Sequence, residues 1–129
     1  MSDADLEAHY RQYIRCLNDR RLDELDAFVH DDLHYNGAPE TRTAYRNRLV
    51  QDIAAIPDLY FDIQWIVAHD NLVGCRIFFR CTPQHEWLGK PPTGKTISFA
   101  EHVFYRFRDG KIEEVWSLLD RAAITAQLA

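Results

Sequence analysis

Apolar residues recur at three- and four-residue steps through the first part of the chain. Leu6, Tyr10, Tyr13, Ile14 and Leu17 share one face, with Ser2 and Asp3 ahead of them as candidate caps, which predicts an amphipathic helix. A shorter helix is expected around Leu22, Leu25, Phe28 and Val29, then a short strand, Leu33–Asn36, ended by the turn Asn36-Gly37. Thr41 or Thr43 caps a third helix carrying Tyr45, Leu49 and Ile53, which stops before Pro57. Beyond Pro57 the period changes from 3.6 to 2.

Leu59, Phe61, Ile63, Trp65 and Val67 form one alternating row, and Val73, Cys75, Ile77, Phe79 and Cys81 form the next, after an Asp70-Asn71 turn. A loop through Gly89-Lys90-Pro91-Pro92-Thr93-Gly94 leads to a long strand, 95–108. Asp109-Gly110 is a hairpin signal, and a last strand from Lys111 to about Leu119 precedes a short helix, 121–128. Helices followed by a meander of strands, with no helices between the late strands, predict an α+β fold. A curved antiparallel sheet wraps around the N-terminal helices and encloses one small-molecule pocket.

Composition narrows the partners. The 129 residues are 47% hydrophobic and contain no linker or repeat, so they read as a single domain, 1–129. A formal charge of -5 argues against nucleic acid or an anionic membrane surface. The acidic start and the lack of a span of about 20 apolar residues predict neither secretion signal nor membrane segment. Cys75 and Cys81 lie too far apart along one strand to bridge, and reduced thiols fit a cytoplasmic protein.

Familiar signatures are missing. There is no glycine-rich nucleotide loop, no G-x-S-x-G, and no Cys/His spacing for zinc, while Gly89 stands where H-E-x-x-H needs its second histidine. No metal or cofactor is expected. Acid–base chemistry by carboxylate, histidine and tyrosine remains.

Alternation places Asp120 at the end of a row with Ile112, Glu114, Trp116 and Leu118. A partly desolvated aspartate there suits a base. The other reading is that Asp120 only caps the helix starting at Arg121. Glu101 interrupts the apolar face of Ile97, Phe99, Val103, Tyr105 and Phe107, and so needs an ion pair, a bulge or a ligand. His85 precedes the proline loop and could reach a pocket mouth. Asn36 could bond a substrate carbonyl or simply form its turn. Tyr10, Tyr13, Trp65 and Trp116 could shape an aromatic pocket, or serve as core.

The tail then carries a resemblance. Glu86-Trp87-Leu88-Gly89, Pro91-Pro92-Thr93-Gly94-Lys95, Tyr105-Arg106-Phe107, Asp109-Gly110-Lys111-Ile112 and Glu114-Val115-Trp116, ending at Asp120, resemble the SnoaL-like polyketide cyclases of the NTF2-like superfamily. The first half is similar more loosely, in its helix order and in Asn18-Asp19-Arg20 through Asn36-Gly37. The resemblance implies a cone-shaped α+β barrel, a homodimer through the outer sheet surface, and a small hydrophobic or aromatic ligand. It implies cofactor-free ring closure by intramolecular aldol condensation, or a related isomerisation, with Asp120 as acid/base. Where many members have a histidine this chain has Pro83, and His85 shares its strand parity. The alternatives are a non-catalytic binding and dimerisation module, or a hydrolase or dehydratase using the same pocket.

Overall fold

A computed structural model describes residues 1–129. Helix α1 (Asp3–Asn18) begins at a capping box in which the Ser2 hydroxyl accepts from the Asp5 amide and the Asp5 carboxylate accepts from the Ser2 amide. Its buried face is the expected one, with Cys16 added. A 3-10 helix, Leu22–Ala27, stands where the short helix through Val29 was expected. Phe28 and Val29 leave it because β1 starts at Val29 and runs to Tyr35, four residues earlier than expected. Its polar stretch His30-Asp31-Asp32 hides it from alternation, since only Val29 and Leu33 are buried.

The turn at Asn36-Gly37, with both residues at positive φ, reverses the chain into a short β2 (Ala38–Thr41) that the sequence pattern did not suggest. Thr41 caps α2 (Arg42–Ala55), accepting from the Ala44 amide. Four further elements form the meander and its end: β3 (Asp62–His69), β4 (Leu72–Cys81), β5 (Ile97–Arg108) and β6 (Lys111–Leu119). Helix α3 (Arg121–Leu128) closes the chain.

The six strands form one curved sheet in the order β2-β1-β6-β5-β4-β3, with helices over its concave side. The sheet does not close into a barrel, because β2 and β3 remain its two edges. It is also not wholly antiparallel. β1 runs parallel to β6, since the chain returns to the sheet's first half through the long β3–β5 meander.

Two bulges decide which side chains face the hollow. In β3, Ile63 pairs with Ile77 but Trp65 with Arg76, so Gln64 is an extra residue. In β6, Ile112 pairs with Phe107 but Glu114 with Arg106, so Glu113 is extra. Each extra residue flips all later side chains. The inward residues are therefore Ile63, Ile66 and Ala68 in β3, and Ile112, Val115, Ser117 and Leu119 in β6. The row expected from simple alternation is corrected: Trp65 and Trp116 point away from the core, Trp65 being 52% exposed, and Leu118 is 72% exposed at the cavity rim.

Helix α1 is tied to the sheet by a two-way amide bridge. The Asn18 Nδ2 donates to the Phe61 carbonyl at 3.1 Å, and the Phe61 N–H donates to Asn18 Oδ1 at 2.8 Å. Asn18→Ala leaves both backbone groups short of a partner. It should cost about 2 kcal/mol with an unchanged denaturant slope. Urea unfolding measures this, and a loss below about 0.5 kcal/mol would show that water replaces the bridge.

Candidate active site

The concave side of the sheet and the helices leave a cavity of about 370 Å³. Its deep wall is aromatic. Phe79 stacks on Phe99 at 5.0 Å between centroids, Phe61 meets Phe79 edge-on at 5.3 Å, and Trp87 tilts against Phe99 at 5.4 Å. Trp87 comes from the 82–96 loop, which is fastened to α2. The Gln84 and His85 amides donate to the Ala55 carbonyl, and the Trp87 indole N–H donates to Asp52 Oδ1 at 3.2 Å.

The opposite wall carries tyrosines. The Tyr13 and Tyr45 hydroxyls are 2.6 Å apart, and Tyr35 and Tyr105 complete the set. Burial pushes the pKa of all four upward, so they remain protonated donors at neutral pH.

Between these walls stands Glu101. Its place on the inward face of β5 follows from unbroken pairing with β4. Ser117 Oγ donates to Glu101 Oε2, and no cation pairs with the carboxyl. Burial lifts its pKa above the ordinary glutamate range; the Ser117 hydroxyl opposes the rise and the neighbouring Asp52 adds to it. Burial also raises Asp52, against the Trp87 hydrogen bond and the charge of Arg48. Two carboxyls that share a cavity and both bind their protons more tightly than free acids are candidates for acid–base work. No three His, Cys, Asp or Glu side chains converge to hold a metal ion.

The expected residues divide. Glu101, Tyr13 and Asn36 line the cavity. Asn36 is occupied, however: its Oδ1 accepts from the Ser117 amide at 2.8 Å and its Nδ2 donates to the Ser117 carbonyl at 3.4 Å. Tyr10 lies behind the lining, fully buried, donating to the Tyr105 hydroxyl at 3.3 Å. Asp120 is exposed and caps α3, its Oδ1 accepting from the Ala123 amide at 3.1 Å. The bulge at Glu113 corrects its expected parity. His85 is exposed on the loop, and Trp65 and Trp116 lie on the outer face, none of them lining the cavity.

Pattern reading missed Asp52, Ser117, Tyr45, Trp87, Arg48 and Arg121. Tyr45, Leu49 and Asp52 follow helical spacing, which could have put the carboxylate on the buried face of α2. Ser117 could not be found, because the bulge conceals its direction.

The folded chain binds the Glu101 proton more tightly than the unfolded chain does. Its contribution to stability is therefore lost as pH rises above the ordinary glutamate value of about 4.3, and levels off beyond the raised folded value. Glu101→Gln should gain thermal stability relative to the parent as pH rises above about 4.3. Parallel melting curves across that range would overturn the assignment.

The family model described as SnoaL-like polyketide cyclase matches residues 7–128. The fold is similar to that of a SnoaL-like polyketide cyclase from Agrobacterium tumefaciens, at 42% identity and a TM-score of 0.90, covering 96% of this chain and 98% of that one. It is also similar to IdmH, a proposed polyketide cyclase from Streptomyces antibioticus, at 26% identity, TM-score 0.84, and 95% and 97% coverage. AclR, a proposed hydroxylase from Streptomyces galilaeus, shares the fold at 24% identity and TM-score 0.84, with 98% and 97% covered. No curated protein matches the chain. No helix is long and apolar enough to cross a membrane. A family match spanning residues 7–128, joined to this sheet and cavity, makes the chain a member of the SnoaL-like polyketide cyclase family.

Proposed function

We propose that the chain is a cofactor-free acid–base catalyst acting on a small hydrophobic carbonyl compound, by intramolecular aldol condensation or a related isomerisation. Glu101 carries the proton. The observation behind this choice is a largely buried carboxyl with a single hydroxyl partner and no cation, set among aromatic side chains. In its ionised form Glu101 takes a proton from the carbon beside a carbonyl, and the Tyr13–Tyr45 hydroxyl pair, which lines the same cavity, donates to the enolate oxygen. The enolate carbon then attacks a second carbonyl of the same molecule. The new alkoxide recovers the proton from Glu101, so no group leaves and the carboxylate is regenerated.

The resemblance points to Asp120 instead, and one pair of variants separates the two. Asparagine caps a helix as well as aspartate does, so Asp120→Asn preserves α3. The assay is deuterium incorporation next to the carbonyl of 2-tetralone in D2O, followed by NMR. Glu101→Gln should slow exchange about a hundredfold or more, while Asp120→Asn stays within about twofold of the parent. The reverse pattern would return the role to Asp120.

The same reading includes a homodimer through the outer face of the sheet. Trp65, Val67 and Phe104 are exposed there, beside Trp116 under the Arg106 guanidinium at 5.8 Å. Gly74 gives the Phe104 ring room to lie against the strand, since a Cβ would sit 3.0 Å from it. The three free, buried cysteines fit a cytoplasmic setting. Sedimentation should find a dimer that Phe104→Asp converts to a folded monomer. A parent chain that is monomeric at high concentration would overturn this.

A further inference from the structure

Besides the tyrosines, six polar side chains line the cavity, and the protein itself occupies five of them. Asn36 is held by the Ser117 backbone, Ser117 by Glu101, and Asp52 by the Trp87 indole. Arg48 donates to Glu40 at 2.7 Å and lies over the Tyr35 ring at 4.1 Å. Arg121 has neither a hydrogen bond nor an ion pair. It is the first residue of α3, whose buried Ile124 and Leu128 anchor the helix and whose start is capped by Asp120, so its Cα is fixed at the cavity rim.

A guanidinium is always charged and offers a planar fork of donors that matches a carboxylate. Glu101 and Asp52, the two lining acids, already have partners in Ser117 and Trp87. The one charged lining group left without a partner in the protein is therefore a cation, although the chain as a whole carries -5. We propose that the ligand of this cavity is an anion: an aromatic or alicyclic ring system with one carboxylate, the rings against Phe79, Phe99 and Trp87 and the carboxylate on Arg121. This deepens the acid–base reading and rests on the same cavity. It adds that the substrate enters ring-first and keeps its charged end at the rim, which holds the reacting carbon inside near Glu101.

The test compares 2-naphthoate with 2-naphthamide, which have the same rings and similar size but differ in charge, by calorimetry at neutral pH with the Trp87 indole N–H signal as reporter. Naphthoate should bind about tenfold more tightly than the amide, and Arg121→Gln should erase the difference while leaving the amide's affinity unchanged. Arg121→Lys should keep part of the preference, and Glu101→Gln should keep at least all of it. Equal binding of the two ligands by the parent chain, or a preference that survives Arg121→Gln, would overturn the anion assignment and leave the catalytic reading standing. Failure of both ligands to shift the Trp87 signal would overturn the cavity as a binding site, and both proposals with it. Neither ligand is a substrate, so a catalytically inert protein would still report on the charge.

Discussion

One extra residue in β6 organises this molecule. Glu113 bulges out of the ladder, and from there on the strand presents Val115, Ser117 and Leu119 to the hollow instead of Glu114 and Trp116. The consequences are chemical. Ser117 arrives within hydrogen-bonding reach of Glu101 across the β5–β6 pairing, and its backbone clamps the Asn36 side chain at the end of β1. The strand ends with Asp120 in place to cap α3. Removing the bulge would point a tryptophan into the cavity and the serine away from it, leaving the buried carboxyl without a partner.

The cavity that results is an apolar space in which nearly every polar group is already held. Hydrogen bonds of this kind contribute little to net stability, but leaving one unmade inside such a space is costly. That asymmetry keeps the lining in one arrangement. The Asp52–Trp87 bond joins α2 to the 82–96 loop and fixes the indole against Phe99, so the wall farthest from the helices along the chain is set by a helix residue. The paired tyrosine hydroxyls do the same for the opposite wall. Preorganised donors around a buried carboxyl suit the proposed enolate chemistry, because the donors need not reorganise when charge develops.

The outer surface follows from the same register shifts. The bulge at Gln64 turns Trp65 and Val67 outward, and the bulge at Glu113 does so for Trp116. Residues that alternation assigns to a pocket thus gather on the sheet's back beside Phe104. Family membership settles the architecture, and fold alone does not choose the chemistry, as the differing descriptions of the cyclase and hydroxylase relatives illustrate. Glu101 lines the cavity, whereas the aspartate that the family motif matches caps α3.

Much of this was legible in the order of residues. Helical spacing marked α1 and α2, alternation marked the meander, and the interruption of the β5 row by Glu101 marked the one carboxyl that does face the hollow; these are local signals, and β4–β5 pairing has no bulge to disturb them. Short-range pattern was misleading wherever pairing inserted a residue, so Trp65, Trp116 and Asp120 were assigned the wrong direction, and Ser117 went unseen. Nor could it indicate that β1 would pair parallel to β6, that the sheet would stay open, or that Asp52 and Trp87 would meet across 35 positions. The sequence by itself determined the elements and their apolar faces, because propensity and periodicity act between near neighbours. Only the tertiary structure decided which polar groups share the cavity, because register and burial are settled between strands and helices far apart along the chain.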